Sequence, residues 1–256
     1  MDLLAAYDAQ LRAEAELGGA VHVATHGPLF WATFHGGRGF VTYRDLAGSG
    51  DLEALVTATK QHFSRHRSVV EVEWKARGHD LTPGLEAILA RQGFVAGDVE
   101  SVMIGETAGV PRLPPPEGVR LRQVRAYADV EAVARLHSQV FADPYPLDQR
   151  VGSLMRQLRE NEGLEIWAAE ADGLVVSAGR LEPVPGTDFA GLWGGATLPE
   201  WRGRGIYRAL VARRADASAR AGKRWLHSDS TPFSRPILER CGFHRVTTTI
   251  PWTWHP

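Results

Sequence analysis

Along residues 127–139 the apolar residues Val130, Val133, Ala134 and Leu136 fall on one helical face with polar residues between them, so an amphipathic helix is expected there. A strand is expected before it, at 119–124. A loop carrying Asp143, Pro144, Tyr145 and Pro146 leads to a second helix at about 147–160. Strands follow at 165–170 and 173–182, around Ala171, Asp172 and Gly173; Asp-Gly is a strong two-residue hairpin signal because both positions tolerate positive φ. After a loop at 183–188 come a strand at 189–198 and a helix from about 205 to 221, which Gly222 stops. A strand, a short helix and a last strand close the chain. This order predicts an α/β (α+β) fold, a mixed sheet with helices covering both faces.

The pattern occurs twice. Ile88-Leu89-Ala90-Arg91-Gln92-Gly93-Phe94 resembles Ile237-Leu238-Glu239-Arg240-Cys241-Gly242-Phe243. Each reads as a last helical turn, a glycine at the left-handed cap, and an aromatic residue opening the next strand. Candidate strands follow at 101–104 and 246–250, and others precede at 69–74 and 223–228. The halves read as diverged copies of one α/β unit. Between them lie Pro114, Pro115 and Pro116, which cannot donate backbone hydrogen bonds and favour a stiff extended segment. The expected division is a first unit at 1–110, a proline-rich linker at 111–118 and a second unit at 119–256.

Composition narrows the function. The chain has 256 residues, 44% hydrophobic and 23% charged, which is ordinary for a globular protein with one large or two small domains. Lys plus Arg (29) nearly balances Asp plus Glu (30), which argues against a dedicated nucleic-acid binder. Cys241 is the one cysteine, so neither a disulfide framework nor a cysteine-based zinc site is expected, and it reads as a small packing residue. The start, Met1-Asp2-Leu3-Leu4, lacks the basic opening of a secretory signal, and no run approaches the roughly 18 apolar residues of a membrane span. A cytoplasmic protein without membrane or nucleic-acid partner is expected, as a monomer or homodimer. His62 and His66 share a helical face, but no nearby Glu or Cys completes a ligand set, so no metal is expected. The glycine-rich 35–39 precedes a strand pattern and reads as a hairpin turn.

The informative segment is 193–210. A strand rich in small residues ends at Pro199, a tight loop carries Gly203 and Gly205, and a helix begins. Glycines let backbone N–H groups turn inward toward a ligand, and a helix N-terminus adds unpaired donors and a positive dipole end that favour phosphate. Arg202 and Arg204 add charge suited to phosphate oxygens. A P-loop needs Lys and Ser/Thr after its last glycine, where Ile206 and Tyr207 stand, which argues against nucleotide hydrolysis. A dinucleotide fingerprint needs a third glycine, where Arg208 stands.

The segment resembles motif A of the GNAT superfamily of acyl-CoA-dependent N-acyltransferases, Gln/Arg-x-x-Gly-x-Gly/Ala. Arg202 and Gly205 match, and Tyr207 occupies the final small position. In element order the resemblance runs over roughly 118–254, most strongly at about 194–210, and takes in Pro199-Glu200-Trp201 and Gly242-Phe243. It implies acetyl-CoA as cosubstrate, with the diphosphate on Arg202, Gly203, Arg204, Gly205, Ile206 and Tyr207. The pantetheine arm would pair with the backbone of Ala196, Thr197 and Leu198 on a strand that splays from its neighbour, and Ser234 is counted with the cofactor-binding residues as well. The implied reaction transfers an acetyl group to a primary amine of a small molecule or peptide. The alternative is a non-catalytic acyl-CoA-binding or sensing module.

An amine with a pKa of about 10.4 is protonated at neutral pH, so a base must take a proton before nitrogen attacks. Glu182, Asp229 and His227 are the candidates. Strand alternation puts His227 and Asp229 on one face, with Asp229 nearer the carboxyl end. The superfamily's proton-donating tyrosine, from the last helix, falls at Leu238. Substitutes are Ser234, which also reads as a helix cap before Arg235-Pro236, Tyr207 and Tyr145. Trp193 reads equally as a wall of the acyl pocket and as core. In the first half the equivalent place, 51–56, shows no glycine loop and carries Asp51 and Glu53, which would repel phosphate. That half reads as a degenerate copy without a cofactor loop, so a single cofactor is expected.

Overall fold

The computed structural model describes residues 2–141 and 146–256. In chain order its elements are α1 (Leu3–Gln10), β1 (His22–His26), β2 (Leu29–Phe34), β3 (Arg38–Tyr43), α2 (Leu52–Ser64), β4 (Glu71–Arg77), α3 (Leu85–Arg91), β5 (Val95–Ala96) and β6 (Glu100–Glu106). After the proline-rich segment come β7 (Arg120–Val124), α4 (Tyr127–Phe141), α5 (Leu147–Glu160), β8 (Glu165–Ala171), β9 (Leu174–Pro183), β10 (Phe189–Thr197), α6 (Ile206–Arg220), β11 (Trp225–Ser230), α7 (Arg235–Glu239) and β12 (His244–Trp254). Short 3-10 turns stand at Ala13–Glu16, Thr107–Gly109 and Pro199–Trp201. The fold is mixed α/β, with parallel and antiparallel strand pairs.

Residues 1–102, 229–232 and 245–256 form one compact unit, and residues 103–228 and 233–244 a second. These units differ from a simple cut at the linker, because the last strand of each half is exchanged. In the first unit β1, β2 and β3 are an antiparallel meander, β4 lies parallel to β3, and β12 lies antiparallel to β4 from Thr249↔Arg77 to Trp254↔Val72. Trp252 joins Phe63, Trp74 and Phe94 in that unit's core. In the second unit the order is β7-β8-β9-β10-β11, and β6 takes the place beside β11.

Local chemistry fixes the junctions. Gly93 and Gly242 both have positive φ (88° and 87°), and in each copy the following phenylalanine N–H reaches back to a leucine carbonyl, Phe94 to Leu89 and Phe243 to Leu238. This is the cap expected at both places, built identically. Asp172 and Gly173, at φ 52° and 77°, make the two-residue turn between β8 and β9. In α4, Val130, Val133 and Ala134 are fully buried. Burying a valine contributes about 1.5–3 kcal/mol, which outweighs the roughly 0.5 kcal/mol that its branched side chain costs a helix.

In the second unit α4 and α5 share one core with β8 and β9 (Val133, Leu154, Ile166, Val176), and α6 and α7 share another with Leu181, Leu192 and Leu226. Strand alternation therefore turns Leu181 and Leu192 toward α6, and Arg180 and Trp193 toward α4 and α5. The parallel pairing of β10 with β11 runs only from Phe189↔Trp225 to Gly191↔His227. Opposite, on the β9 side, the register slips by one residue between Trp193 and Ala196, a bulge at Gly194 and Gly195. Beyond Gly191 the two strands part, as the resemblance implied.

Candidate active site

The loop between β10 and α6 is pinned at both ends by apolar residues. Leu198, Trp201 and Ile206 pack in one core, so the loop between them is held taut. Gly203 and Gly205 have φ of 76° and 83°, a region in which a side chain is strained even though the space beside Gly203 is open and only an arginine side chain approaches Gly205. This turn leaves the amides of Gly203, Arg204, Gly205, Ile206, Tyr207 and Arg208 without a hydrogen bond to any described residue, whereas Trp201 N–H donates to Leu198 and Arg202 N–H to Pro199. Six successive unpaired donors at the head of a 15-residue helix form an anion site in which the helix dipole adds to the hydrogen bonds. The donor set fits a diphosphate.

The arginines shape this loop as well as charge it. Arg202 Nε donates to Thr197 O (3.1 Å), and Arg204 Nη2 donates to Glu200 O (3.1 Å) while its guanidinium stacks on Trp201 at 4.5 Å. Arg208, which the sequence marks only as the residue that rules out a dinucleotide loop, brings Nη2 to 3.8 Å from the Cβ position of Gly205 and supplies a third cation. One expectation is corrected. Leu198 spends its N–H on Val176 O (3.0 Å) and its carbonyl on Trp201 N–H (2.9 Å), so its backbone is committed inside the protein. Ala196 and Thr197 remain on the strand that parts from β11, although Ala196 O accepts from Ser177 Oγ.

Tyr207 lies on the first turn of α6 with its ring against the bulge. A Cβ on Gly195 would stand 2.6 Å from Cε2 and 3.0 Å from the hydroxyl, so only glycine admits the tyrosine. On the other face of the sheet, the Trp193 ring lies over Gly191 and meets His227 edge-on at 5.3 Å. His137, at the inward positions of α4, donates from Nε2 to Gly194 O at 2.8 Å and ties that helix to the bulge. Burial, then the Arg180 guanidinium, brings its pKa down to about 4 against the partial opposition of that hydrogen bond, so the ring is neutral. The sequence carried a signal for it: His137 continues the 130, 133, 134 spacing of a buried face, where a polar side chain needs a partner.

The proton-transfer candidates separate. Glu182, at the end of β9, is partly exposed and accepts from Arg180 Nε at 2.8 Å. Asp229 lies in the first unit with its side chain 9% exposed and is bonded to Lys75 Nζ at 2.7 Å. Lys75 also meets Glu16 at 3.2 Å, and Glu16 binds Arg77. Burial works against the charge on Glu16, but Arg77 and Lys75 outweigh it and hold the carboxyl at about 2. Asp229 is thus a member of a buried ion cluster, an arrangement in which removing one partner strands the others, and a free base is not what it provides. Ser234 sits at the cap position of α7 half-buried, and its side chain makes no capping bond. Leu238 is fully buried in the core, so the last helix offers no phenol there. Tyr145 lies outside the described residues.

The equivalent place in the first unit does hold glycines, contrary to the sequence reading. Gly48 and Gly50, at φ 73° and 75°, precede α2 much as Gly203 and Gly205 precede α6. The difference is Asp51, whose carboxylate caps α2 by accepting from Ala54 N–H at 3.1 Å. A carboxylate of the chain itself holds the position at which the second unit presents open amides. Among the described residues no group of three or more His, Cys, Asp or Glu is arranged to hold a metal ion, and no helix is long and apolar enough to cross a membrane.

Residues 130–243 match the family described as Acetyltransferase (GNAT) family, and this segment is a GNAT acetyltransferase domain. Its limits enclose the bulge, the loop and the start of α6. No curated protein matches the chain in sequence. Among solved structures, a GCN5-related N-acetyltransferase from Kribbella flavida superposes with a TM-score of 0.69 at 15% identity, over 93% of this chain and 92% of that one. One from Sphaerobacter thermophilus gives 0.68 at 16% identity, over 89% and 76%. A tandem GNAT protein from the clavulanic acid biosynthesis pathway gives 0.62 at 15% identity, over 89% and 78%. At such identities the likeness is one of fold, and the fold is that of GNAT proteins across both halves of the chain. The GNAT family uses acetyl-CoA.

Proposed function

We propose that the second unit binds acetyl-CoA and transfers its acetyl group to a primary amine of a small molecule or peptide. The observation that carries this reading is the row of unpaired amides from Gly203 to Arg208, inside the segment matched to the family. When bound, acetyl-CoA supplies the acyl group as a thioester, which passes to the nitrogen as the carbon–sulfur bond breaks; the ammonium nitrogen loses two protons in all, one before attack and one as the amide forms, and the sulfur gains one. The amides, with Arg202, Arg204 and Arg208, hold the diphosphate. Ala196 and Thr197, on the strand that parts from β11, orient the arm. Glu182 takes the proton of the amine, since Asp229 is committed to Lys75. The Tyr207 hydroxyl, lying against the bulge, donates the proton that the departing sulfur needs. The first unit holds no second cofactor, because Asp51 fills its anion position.

A non-catalytic acyl-CoA-binding role is the second reading, favoured by the buried Leu238 at the superfamily's tyrosine position. Incubation with acetyl-CoA and an amine panel, following release of free thiol, separates the two. Amine-dependent thiol release supports the transferase; acetyl-CoA binding with no thiol from any amine supports the sensor.

A further inference from the structure

On the face of β9 that turns toward α4 and α5, Arg180 stands beside the β10 bulge and Glu182 next to it along the strand, opposite Gly191. Arg180 pairs with Trp193 in register, and its Nη1 lies 3.7 Å from the Cβ position of Gly194. Its side chain is only 21% exposed. Of its three nitrogens, Nε is spent on Glu182, while neither terminal nitrogen donates to a described residue. A largely desolvated guanidinium with its fork left over is costly unless something anionic completes it.

The surroundings do not relieve that cost. His137 is a neutral donor whose Nε2–H is already used on Gly194 O. Arg150, from α5, is near enough that, after burial, repulsion from Arg180 lowers its pKa. Among the described residues Glu182 is the one carboxylate bonded to Arg180, and it engages the Nε edge alone. Gly195, next along the bulge, is exposed, and the Arg180 side chain itself keeps 21% of its surface in solvent.

We infer that the acceptor carries an oxyanion, a carboxylate or a phosphate, which the free fork of Arg180 binds beside the β10 bulge while Glu182 meets the acceptor's ammonium. The acceptor class is then an amino acid or an aminoalkyl phosphate rather than a simple amine. A planar fork suits an oxyanion bidentately, and a carboxylate beside it suits the ammonium that must lose its proton. The inference rests on the transferase reading.

The test compares kcat/KM for matched acceptors: an amino acid against its carboxamide, and an aminoalkyl phosphate against the corresponding amino alcohol. The wild type should favour the anionic member of at least one pair by about tenfold or more, the strength of one or two charged hydrogen bonds. Arg180→Gln should collapse that ratio toward one through KM, and Arg180→Lys should recover part of it. Retained CoA binding shows that each variant is folded, and a thermal shift with the anionic acceptor alone, lost in Arg180→Gln, reads binding apart from turnover. Equal use of both members by the wild type, or an unchanged ratio in Arg180→Gln, overturns the inference and leaves the transferase intact. No thiol release with any acceptor, despite acetyl-CoA binding, removes the transferase reading and this inference with it.

Discussion

Gly195 and Tyr207 show how much one hydrogen atom decides. A methyl group on Gly195 would meet a ring carbon at 2.6 Å, so Gly195→Ala must push the phenol off the bulge. If Tyr207 donates the proton, turnover should fall on the order of tenfold to a hundredfold, the usual effect of a misplaced catalytic group, while CoA affinity holds; Tyr207→Phe should match it. Wild-type turnover in both variants would remove the tyrosine from the mechanism. His137 has a depressed folded pKa, so the unfolded chain, at about 6.5, binds the proton first. Its contribution is full above pH 6.5 and is lost as pH falls toward 4. His137→Gln, which can still donate to Gly194 O, should shrink the stability difference between pH 7 and pH 5 by roughly 1–2 kcal/mol, read from urea midpoints; an unchanged difference would mean that the histidine is not neutral in the folded protein. Residues were the least legible scale in the sequence. Alternation put Asp229 on a promising face, but its partner Lys75 lies 154 positions away, and no local pattern announces such a pair.

At the scale of elements the sequence was most informative, because helix caps, the Asp-Gly turn and the glycine loop are local chemistry. Helix α4 and the hairpin between β8 and β9 stand where apolar spacing and turn residues put them. The loop into α6 was visible because its two glycines, its arginines and its helix all fall within a few residues. The loop into α2 is less legible, because its glycines, Gly48 and Gly50, stand ahead of Asp51 and have no arginine among them to mark an anion site. Gly205 at φ 83° gives a direct test. Gly205→Val forces a branched side chain into the left-handed region at about 1–3 kcal/mol, so the melting point should drop and CoA affinity with it. Gly205→Asn, which tolerates that region, should keep the fold. Full CoA affinity in Gly205→Val would detach the cofactor from this turn.

For the whole molecule, the matching caps at Gly93-Phe94 and Gly242-Phe243 were legible, whereas the exchange of the last strands of the two halves was not. Alternation tells which side of a strand is apolar; it does not name the strand beside it. β12 follows the second copy's cap yet pairs with β4, and Trp252 is buried in the first unit's core. A fragment of residues 1–110 therefore lacks one strand of its sheet and a core tryptophan. It should be unfolded or molten by near-ultraviolet circular dichroism and should gain structure when residues 233–256 are supplied. A fragment that folds cooperatively alone would contradict the exchange.

The amides at the head of α6 are the groups on which the acyl-CoA reading stands, and they can be observed one by one. In a ¹⁵N-labelled protein titrated with CoA, the resonances of Gly203 to Arg208 should move first and furthest, at the same midpoint, while those of Gly48 to Ala54 at the head of α2 stay in place. CoA binding that leaves the 203–208 amides unmoved, or no binding at all, would contradict the account.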